Sequence, residues 1–176
     1  NIRLFWLVVL ATAFTAVVGY LVSLLEPAGK PRLVSLLFLV TAAILIGAAF
    51  MHGKKDYREI GAGTAIFTGI AQGLGVFPGI SRSGITISAS LYSGMKRDKA
   101  GEYAFVLSIP AIIGALVFTL KDADRLSRVV SLPVLIAGLF ASFVVGLFSL
   151  LLLLRMIRHG RLYLFSLYLI PLGIIG

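Results

Sequence analysis

Long apolar stretches without a formal charge constrain the fold of this chain more than any other feature. Four of them have about the 20 residues that a helix needs to cross the hydrocarbon core of a bilayer: residues 4–25, 33–53, 103–120 and 129–154. A fifth, residues 162–176, is shorter and crosses only if its helix extends beyond these bounds. Helices are expected because an open sheet cannot satisfy its backbone in lipid and the alternating pattern of a β-barrel is absent. The sequence therefore predicts an all-α polytopic membrane protein with five transmembrane helices.

The charged residues are confined to short segments between the apolar stretches, with a single exception. Only 13% of the 176 residues are charged, about half the share found in soluble domains. Of the 16 basic and 7 acidic side chains, all except Arg82 lie in six segments, at residues 1–3, 26–32, 54–59, 96–102, 121–128 and 155–161. The sequence thus raises the question of why one guanidinium stands alone in an apolar region.

The net charge of +9 and the absence of cysteine exclude several classes of function. The basic residues are spread over every charged segment and form no single stripe, so we expect no nucleic-acid partner. Contact with anionic membrane lipids and control of topology explain the charge more simply. Without cysteine the chain has no thiolate nucleophile and no Cys-based metal site.

Residues 60–95 form an apolar region of a different kind. Its first part, residues 60–84, contains seven glycines and a Pro-Gly break, and its second part, residues 83–95, is too short to cross a bilayer alone. A Pro-Gly turn at bilayer depth frees backbone groups, which is tolerated only where they are buried in protein or line a wet cavity. The region is therefore predicted to be a re-entrant helix–turn–helix that returns to the side it left.

The distribution of basic residues supports this prediction independently. If residues 60–95 re-enter, one side of the membrane has 10 Lys and Arg and the other has 5. If they cross once, the counts become 7 and 8, and the positive-inside bias disappears. We therefore predict two spans, one re-entrant hairpin and three spans, with the more basic side in the cytoplasm.

This order of elements predicts an inverted-repeat architecture within one membrane domain, residues 1–176. Residues 60–176 would form a complete repeat that begins with the hairpin at 60–95. Residues 1–59 would be the last two spans of an earlier repeat. On this interpretation an N-terminal hairpin and one span of the architecture are absent from the chain.

Arg82 is the predicted centre of a functional site. An arginine within the membrane costs roughly 2.5–3.5 kcal/mol on insertion scales, so it is retained mainly where it meets an anion. Its guanidinium presents donors that match two phosphate oxygens at once. Ser81 and Ser83 flank it with hydroxyl donors, and Ser83 is expected to cap the returning helix.

Three further residues complete the predicted site around the Pro-Gly turn. Thr86 follows Arg82 by four positions and should project from the same helix face. Gly79 and Gly84 would let a ligand approach the backbone closely. Every polar group in this turn donates hydrogen bonds, which favours a phosphate or diphosphate at membrane depth, and a lipid phosphate is the obvious member of that class. The other glycines of the region are expected to serve close helix packing.

The remaining polar residues carry weaker signals. Gln72 could orient a phosphate or bond a neighbouring helix, and both interpretations stay open. Glu102 follows Lys99 by three positions, and a salt bridge between them is the favoured interpretation. His52 and His159 are expected to be interfacial anchors. No carboxylate pair or histidine cluster stands within any predicted span, so the sequence offers binding groups for a phosphate and no convincing group to hydrolyse one.

Two sequence motifs resemble a known family. Residues 72–86, QGLGVFPGISRSGIT, and residues 100–110, AGEYAFVLSIP, resemble the second signature of the undecaprenyl-diphosphate phosphatase family of bacitracin-resistance type. The resemblance implies a multi-pass enzyme of the bacterial inner membrane that removes the terminal phosphate of undecaprenyl diphosphate and so recycles the lipid carrier of peptidoglycan synthesis. It also implies that Arg82 and Ser81 act on the diphosphate as catalytic residues. Their implied partners in substrate binding are Ser83, Thr86, Gly79, Gly84, Gln72 and Glu102.

One part of the family pattern has no counterpart in this sequence. The first signature of the family contains two glutamates four residues apart and a histidine, which supply its carboxylates and the presumed ligands of a divalent metal, Mg or Ca. We therefore expect the chain to correspond to the C-terminal two thirds of such an enzyme, to hold no metal ligands and to be inactive alone. The resemblance leaves a homodimer open.

Two other functional classes remain as alternatives. A transporter or flippase for polyprenyl phosphate or another anion would use the same arginine site without chemistry. A purely structural membrane subunit would leave Arg82 unexplained.

Overall fold

The computed structural model describes residues 2–25, 31–120 and 131–175 of the chain. Within these ranges the chain forms helices and no β-strand, which confirms the all-α prediction. The helices are α1 (Ile2–Ser23), α2 (Pro31–Ala49), α3 (Ala62–Leu74), α4 (Arg82–Tyr92), α5 (Arg97–Leu120), α6 (Leu132–Arg158) and α7 (Leu164–Ile175). The predicted hydrophilic segments at 26–32 and 121–128 lie largely or wholly outside the described residues.

Four helices are long and apolar enough to cross a bilayer, which makes the chain a multi-pass membrane protein. They are α1, α2, most of α5 and the 27-residue α6. The fifth predicted span corresponds to α7, which has 12 residues, a length of about 18 Å against a hydrocarbon core of about 30 Å. The described part of the chain therefore contains four candidate spans, and the fifth prediction is not confirmed.

Helices α3 and α4 form the predicted helix–turn–helix. They contain 13 and 11 residues, or about 20 Å and 16 Å of helix, so neither has the length to cross alone. The two ends of the hairpin lie side by side, because Lys55 and Met95 form an isolated parallel β-bridge. The amide of Lys55 donates to Gly94 O at 3.0 Å and the amide of Lys96 donates to Lys55 O at 3.0 Å. The chain thus enters and leaves the hairpin at the same end.

The tip of the hairpin is a tight turn built by Pro78 and Gly79. The amide of Ile80 donates to Phe77 O at 3.1 Å, and Gly79 has a φ of 93°, a conformation that favours glycine at the third position of such a turn. Thr41 of α2 donates its hydroxyl to Gly79 O at 2.9 Å. The turn is therefore held against α2.

Small residues allow α1 to pack closely on α3. A Cβ at Gly69 would collide with the backbone of Ala11, and one at Gly73 would lie 2.6 Å from Val18 Cβ. These two glycines confirm the packing prediction. No described residue lies within 4 Å of a Cβ added at Gly61 or Gly63, so the described structure shows no close packing at these two. The hairpin is further enclosed by contacts of α4 with α2 and α5.

Arg97 joins three of the basic segments at one end of the molecule. Its guanidinium donates to Ala49 O at 2.6 Å and lies 3.3 Å from His52 Nε2. It also covers Gly160, where any Cβ would collide with it. The segments that follow α2, precede α5 and follow α6 therefore share one end of the described structure.

Candidate functional site

A cavity of about 540 Å³ lies where the start of α4 faces α5 and α6. We call it the Arg82 cavity. Most of its wall is apolar and comes from residues such as Phe105, Leu150 and Leu153. Among the residues that the structure describes, its lining includes no acidic residue and no histidine. Its polar lining consists of Gln72, Arg82, Ser83, Thr86, Ser108 and Ser149.

Arg82 is the only charged residue among the described residues that line this cavity. Its side chain is exposed, and within the described ranges its guanidinium has no ion pair and no hydrogen bond. The stem of the side chain passes over Gly75, where an added Cβ would lie 2.7 Å from Arg82 Cα and 2.8 Å from its Cβ. Gly75 thus makes room for the arginine, and its five guanidinium donors remain available to a ligand.

The N-terminus of α4 adds further donors beside Arg82. Ser81 is the N-cap, and its hydroxyl accepts from the Gly84 amide at 3.2 Å. The prediction that Ser83 caps this helix is wrong, because the helix already begins at Arg82 and the turn leaves Ser81 in an extended conformation. The amides of Arg82 and Ser83 have no partner within the described chain. An anion at this end would meet two free amides and the positive end of the helix dipole.

Thr86 and Gln72 line the cavity but already make hydrogen bonds within the protein. Thr86 donates its hydroxyl to Arg82 O at 2.8 Å and is buried. Gln72 is buried as well, and its Nε2 donates to Leu107 O on α5 at 3.3 Å. Of the two interpretations left open for Gln72, the structure shows the bond to a neighbouring helix and also brings the residue to the cavity wall.

The other three predicted site residues have neighbours away from the Arg82 cavity. A Cβ at Gly79 would lie 2.5 Å from Val34 O, so this glycine serves its contact with α2. A Cβ at Gly84 would lie 2.9 Å from the hydroxyl oxygen of Ser81, so a larger residue at position 84 would press on the side chain that caps α4. Glu102 forms the expected salt bridge with Lys99 at 2.9 Å and lines a separate cavity with Tyr57.

A second cavity of about 260 Å³ meets the first at the start of α4. We call it the α7 slot because Phe165, Tyr168 and Leu169 of α7 form part of its mostly apolar wall. Ser83 and Ser149 line both cavities. Ile87 and Leu153 line both cavities as well, so the two cavities adjoin along the parts of α4 and α6 that carry these four residues.

Sequence reasoning missed Ser108 and Ser149 as members of the site. Ser149 lies in the second half of the apolar run that becomes α6, and Ser108 donates its hydroxyl to Phe105 O at 2.7 Å. An isolated serine in a long apolar helix is a signal that could have indicated Ser149, because hydroxyls in lipid need a partner. Nothing in the sequence indicated that α6 would face α4.

The Arg82 cavity does not fit the divalent metal that the family resemblance implies. Hard cations such as Mg²⁺ and Ca²⁺ prefer carboxylate and carbonyl oxygens. The cavity instead presents a guanidinium, hydroxyls and an amide that is already bonded. In the described part of the chain no group of three or more His, Asp or Glu side chains could hold a metal ion. The described lining of this cavity therefore does not form a site for a divalent metal.

Comparisons with known proteins agree with the sequence motifs. The family described as bacitracin resistance protein BacA matches residues 1–175. A protein of Treponema denticola named undecaprenyl-diphosphatase is 47% identical over 95% of this chain and 62% of its own length. Proteins of the same name from Desulforapulum autotrophicum and Methanosphaera stadtmanae are 37% and 39% identical, over 100% and 98% of this chain. The chain spans less than two thirds of the length of these relatives. It belongs to the bacitracin resistance protein BacA family.

Proposed function

We propose that this chain binds the diphosphate of undecaprenyl diphosphate and takes part in the removal of its terminal phosphate. The observation that carries the proposal is the unpaired guanidinium of Arg82 beside the free amides of α4 in a largely apolar cavity. The relatives named undecaprenyl-diphosphatase supply the substrate. The overall reaction is a hydrolysis: the oxygen of a water molecule forms a new bond to the terminal phosphorus, the bond between that phosphorus and the bridging oxygen breaks, and the products are undecaprenyl phosphate and phosphate.

The described residues would act by binding the diphosphate and stabilising its charge. Arg82 would donate two parallel hydrogen bonds to the diphosphate oxygens, and the amides at the start of α4 would add two more donors. Ser83 of α4 and Ser149 of α6 would donate hydroxyl hydrogens to the diphosphate. Donors held in place before the reaction stabilise the charge that develops on the leaving oxygen. No proton transfer is assigned to these residues, since the described cavity wall contains no general base.

For the divalent metal that the resemblance implies, we state only the chemistry that it would supply. When bound, such a metal would neutralise phosphate charge and activate the attacking oxygen. Its ligands are proposed to come from outside this chain, as is the group that activates the nucleophile. The chain alone should therefore bind the lipid without releasing phosphate.

The architecture proposed for the protein places the Arg82 cavity within the bilayer. Helices α3 and α4 would form a re-entrant hairpin, and α7 would complete a fifth span. Residues 1–59 and 60–176 would belong to two inverted repeats in the bacterial inner membrane, and a homodimer stays a prediction. Two observations support this proposal. The two ends of the hairpin lie side by side at Lys55 and Met95, and Arg97 donates to Ala49 O near the same end of the molecule.

A transporter or flippase for polyprenyl phosphate is the second candidate function. The observation that favours it is the chemistry of the described cavity wall, which donates hydrogen bonds and offers no acid or base. Such a protein would carry polyprenyl phosphate across a vesicle membrane without releasing phosphate. Measurement of both activities on one preparation separates the two functions.

Replacement of Arg82 by alanine tests the proposal. Arg158→Ala is the matched control, because Arg158 is an exposed arginine of α6 that does not line the Arg82 cavity. Loss of a charge-assisted contact costs at least about 1.5 kcal/mol, so phosphate release by the natural protein that carries this sequence should fall more than tenfold. The control should retain activity close to wild type. Activity of Arg82→Ala within about threefold of wild type would refute the role of Arg82 in diphosphate binding.

A further inference from the structure

A third cavity lies at the end of α6 and is separate from the proposed diphosphate site. Its volume is about 340 Å³, and we call it the α6-end cavity. Its lining consists of Leu152, Arg155, Met156, His159 and Arg161. It shares no lining residue with the Arg82 cavity or the α7 slot.

The two arginines that line this cavity are cations without a partner in the described part of the chain. Neither Arg155 nor Arg161 has a salt bridge or a side-chain hydrogen bond within the described ranges, and both are exposed. No acidic residue of the described chain lines the cavity. An anion that occupied it would therefore meet two guanidiniums without a competing carboxylate.

The end of α6 is shaped so that Arg161 turns back toward the helix. Gly160 has a φ of 68°, the amide of Arg161 donates to Met156 O at 2.9 Å, and the amide of Gly160 donates to Ile157 O at 2.9 Å. This pair of bonds is the Schellman motif that ends many helices. Arg97 covers Gly160 from the other side. Because the turn is held from two directions, both arginines reach one cavity without further ordering of the backbone.

The apolar half of the cavity indicates that its ligand carries hydrocarbon. Leu152 and Met156 lie one helical turn apart on α6, and the exposed apolar side chains of Phe148 and Leu151 precede them. Helix α6 has 27 residues, about 40 Å, so it extends beyond a hydrocarbon core of about 30 Å. Its basic end would therefore reach the headgroup layer while its apolar face continues into the acyl chains.

We infer that the α6-end cavity binds the phosphate headgroup of an anionic phospholipid, with the acyl chains along the exposed face of α6. The charge of the cavity matches a phosphodiester, and its apolar wall matches the chains attached to it. The basic segments that Arg97 gathers at this end favour the anionic cytoplasmic leaflet. The site is independent of phosphate release and of the diphosphate site.

The test compares lipid binding by two double variants of the chain that remove the same charge. Arg155→Gln with Arg161→Gln removes both cavity cations. Lys54→Gln with Arg158→Gln removes two exposed cations that do not line the cavity. Native mass spectrometry would measure dissociation constants for phosphatidylglycerol, phosphatidylcholine and glycerol phosphate, and melting temperatures would verify folding.

We expect phosphatidylglycerol to bind the wild type more tightly than phosphatidylcholine does, and glycerol phosphate to compete poorly. An arginine near an anionic lipid surface contributes about fivefold in affinity, so the cavity variant should bind phosphatidylglycerol about 25-fold more weakly. The control variant should change by less than about threefold, since neither of its side chains lines the cavity and salt partly screens exposed charges. If the cavity variant does not fold, each single cavity variant should show about a fivefold loss.

Three results would overturn the inference. Equal losses in the two double variants would mean that only net charge attracts the lipid. Equal binding of phosphatidylcholine and phosphatidylglycerol by the wild type would mean that the arginines recognise no anionic headgroup. Strong competition by glycerol phosphate would mean that the cavity binds a water-soluble phosphate and uses no hydrocarbon contact.

Discussion

Replacement of Gly75 by alanine should displace Arg82 without removing any polar group. Gly75 follows α3 with φ of −65° and ψ of 1°, a conformation that alanine adopts without strain, so the effect of the new methyl group is purely steric. The added Cβ would lie 2.7 Å from Arg82 Cα, 2.8 Å from its Cβ and 2.9 Å from its Cγ. Two of these atoms are at or next to the backbone, so a rotamer change of the arginine cannot relieve the contact.

The size of the displacement follows from these distances. Carbon atoms in ordinary contact are at least about 3.5 Å apart, so the turn must open by about 0.8 Å. Overpacking of this kind costs about 1–3 kcal/mol of stability. Because a misplacement of about 1 Å at a site can cost a hundredfold in function, we expect the dissociation constant for undecaprenyl diphosphate to rise at least tenfold.

Two other glycines of the same hairpin are matched controls for this experiment. A Cβ at Gly63 meets nothing within 4 Å, so Gly63→Ala should leave binding unchanged and retain or raise stability. Gly69→Ala would push α1 away from α3, because its Cβ would collide with Ala11, and should lower stability with little effect on binding. Native mass spectrometry of the chain with the lipid and thermal unfolding followed by circular dichroism measure the two quantities. If Gly75→Ala bound the lipid within twofold of wild type, the position of Arg82 would not determine binding.

Two further predictions concern Ser81 and Ser149. Ser81→Ala removes the cap of α4 and should lower the free energy of unfolding by about 1 kcal/mol. Ser131→Ala is the control and should have little effect, because the side chain of Ser131 makes no cap hydrogen bond at the start of α6. Equal effects of the two variants in denaturant unfolding would contradict the role of Ser81 as a cap. Ser149→Ala should weaken binding of undecaprenyl diphosphate about tenfold, since a hydroxyl bond to a charged group is lost. Ser142→Ala is its control on the same helix, because Ser142 lines neither the Arg82 cavity nor the α7 slot. Equal affinities of the two variants for the lipid in native mass spectrometry would exclude Ser149 from the site.

Structural features that depend only on residues close together in the sequence could be predicted from the sequence. Apolar runs about as long as a bilayer is thick predict the spanning helices, and the Pro78-Gly79 break predicts the turn between α3 and α4. A single charge in an apolar segment is costly to desolvate, and this cost identifies Arg82 as the predicted centre of the site. The fifth span is the weakest of these predictions, because α7 has only 12 residues.

The wrong or missing predictions concern the direction in which a side chain points. The position of the N-cap depends on the residue at which the turn ends and the helix begins. Helix α4 begins at Arg82, so Ser81 and not Ser83 is its N-cap. Glu102 stays a prediction as a site residue, and the residues of α5 that line the Arg82 cavity are Gly101, Ala104, Phe105 and Ser108. Their spacing of three and four residues defines one helix face, from which Glu102 is rotated by about 100°.

Hydropathy, the Pro78-Gly79 break and the isolated charge of Arg82 are enough to predict an all-helical membrane protein with a broken hairpin that contains one cation. Hydropathy and turn preferences act over one helix or less, and lipid leaves few alternatives for the backbone. The packing of helices that are distant in sequence brings Ser149 of α6 and Ser83 of α4 to one cavity, and Arg155 and Arg161 to another. The rotation of each helix about its axis follows from packing with neighbours distant in sequence, and that rotation selects which side chains meet a ligand.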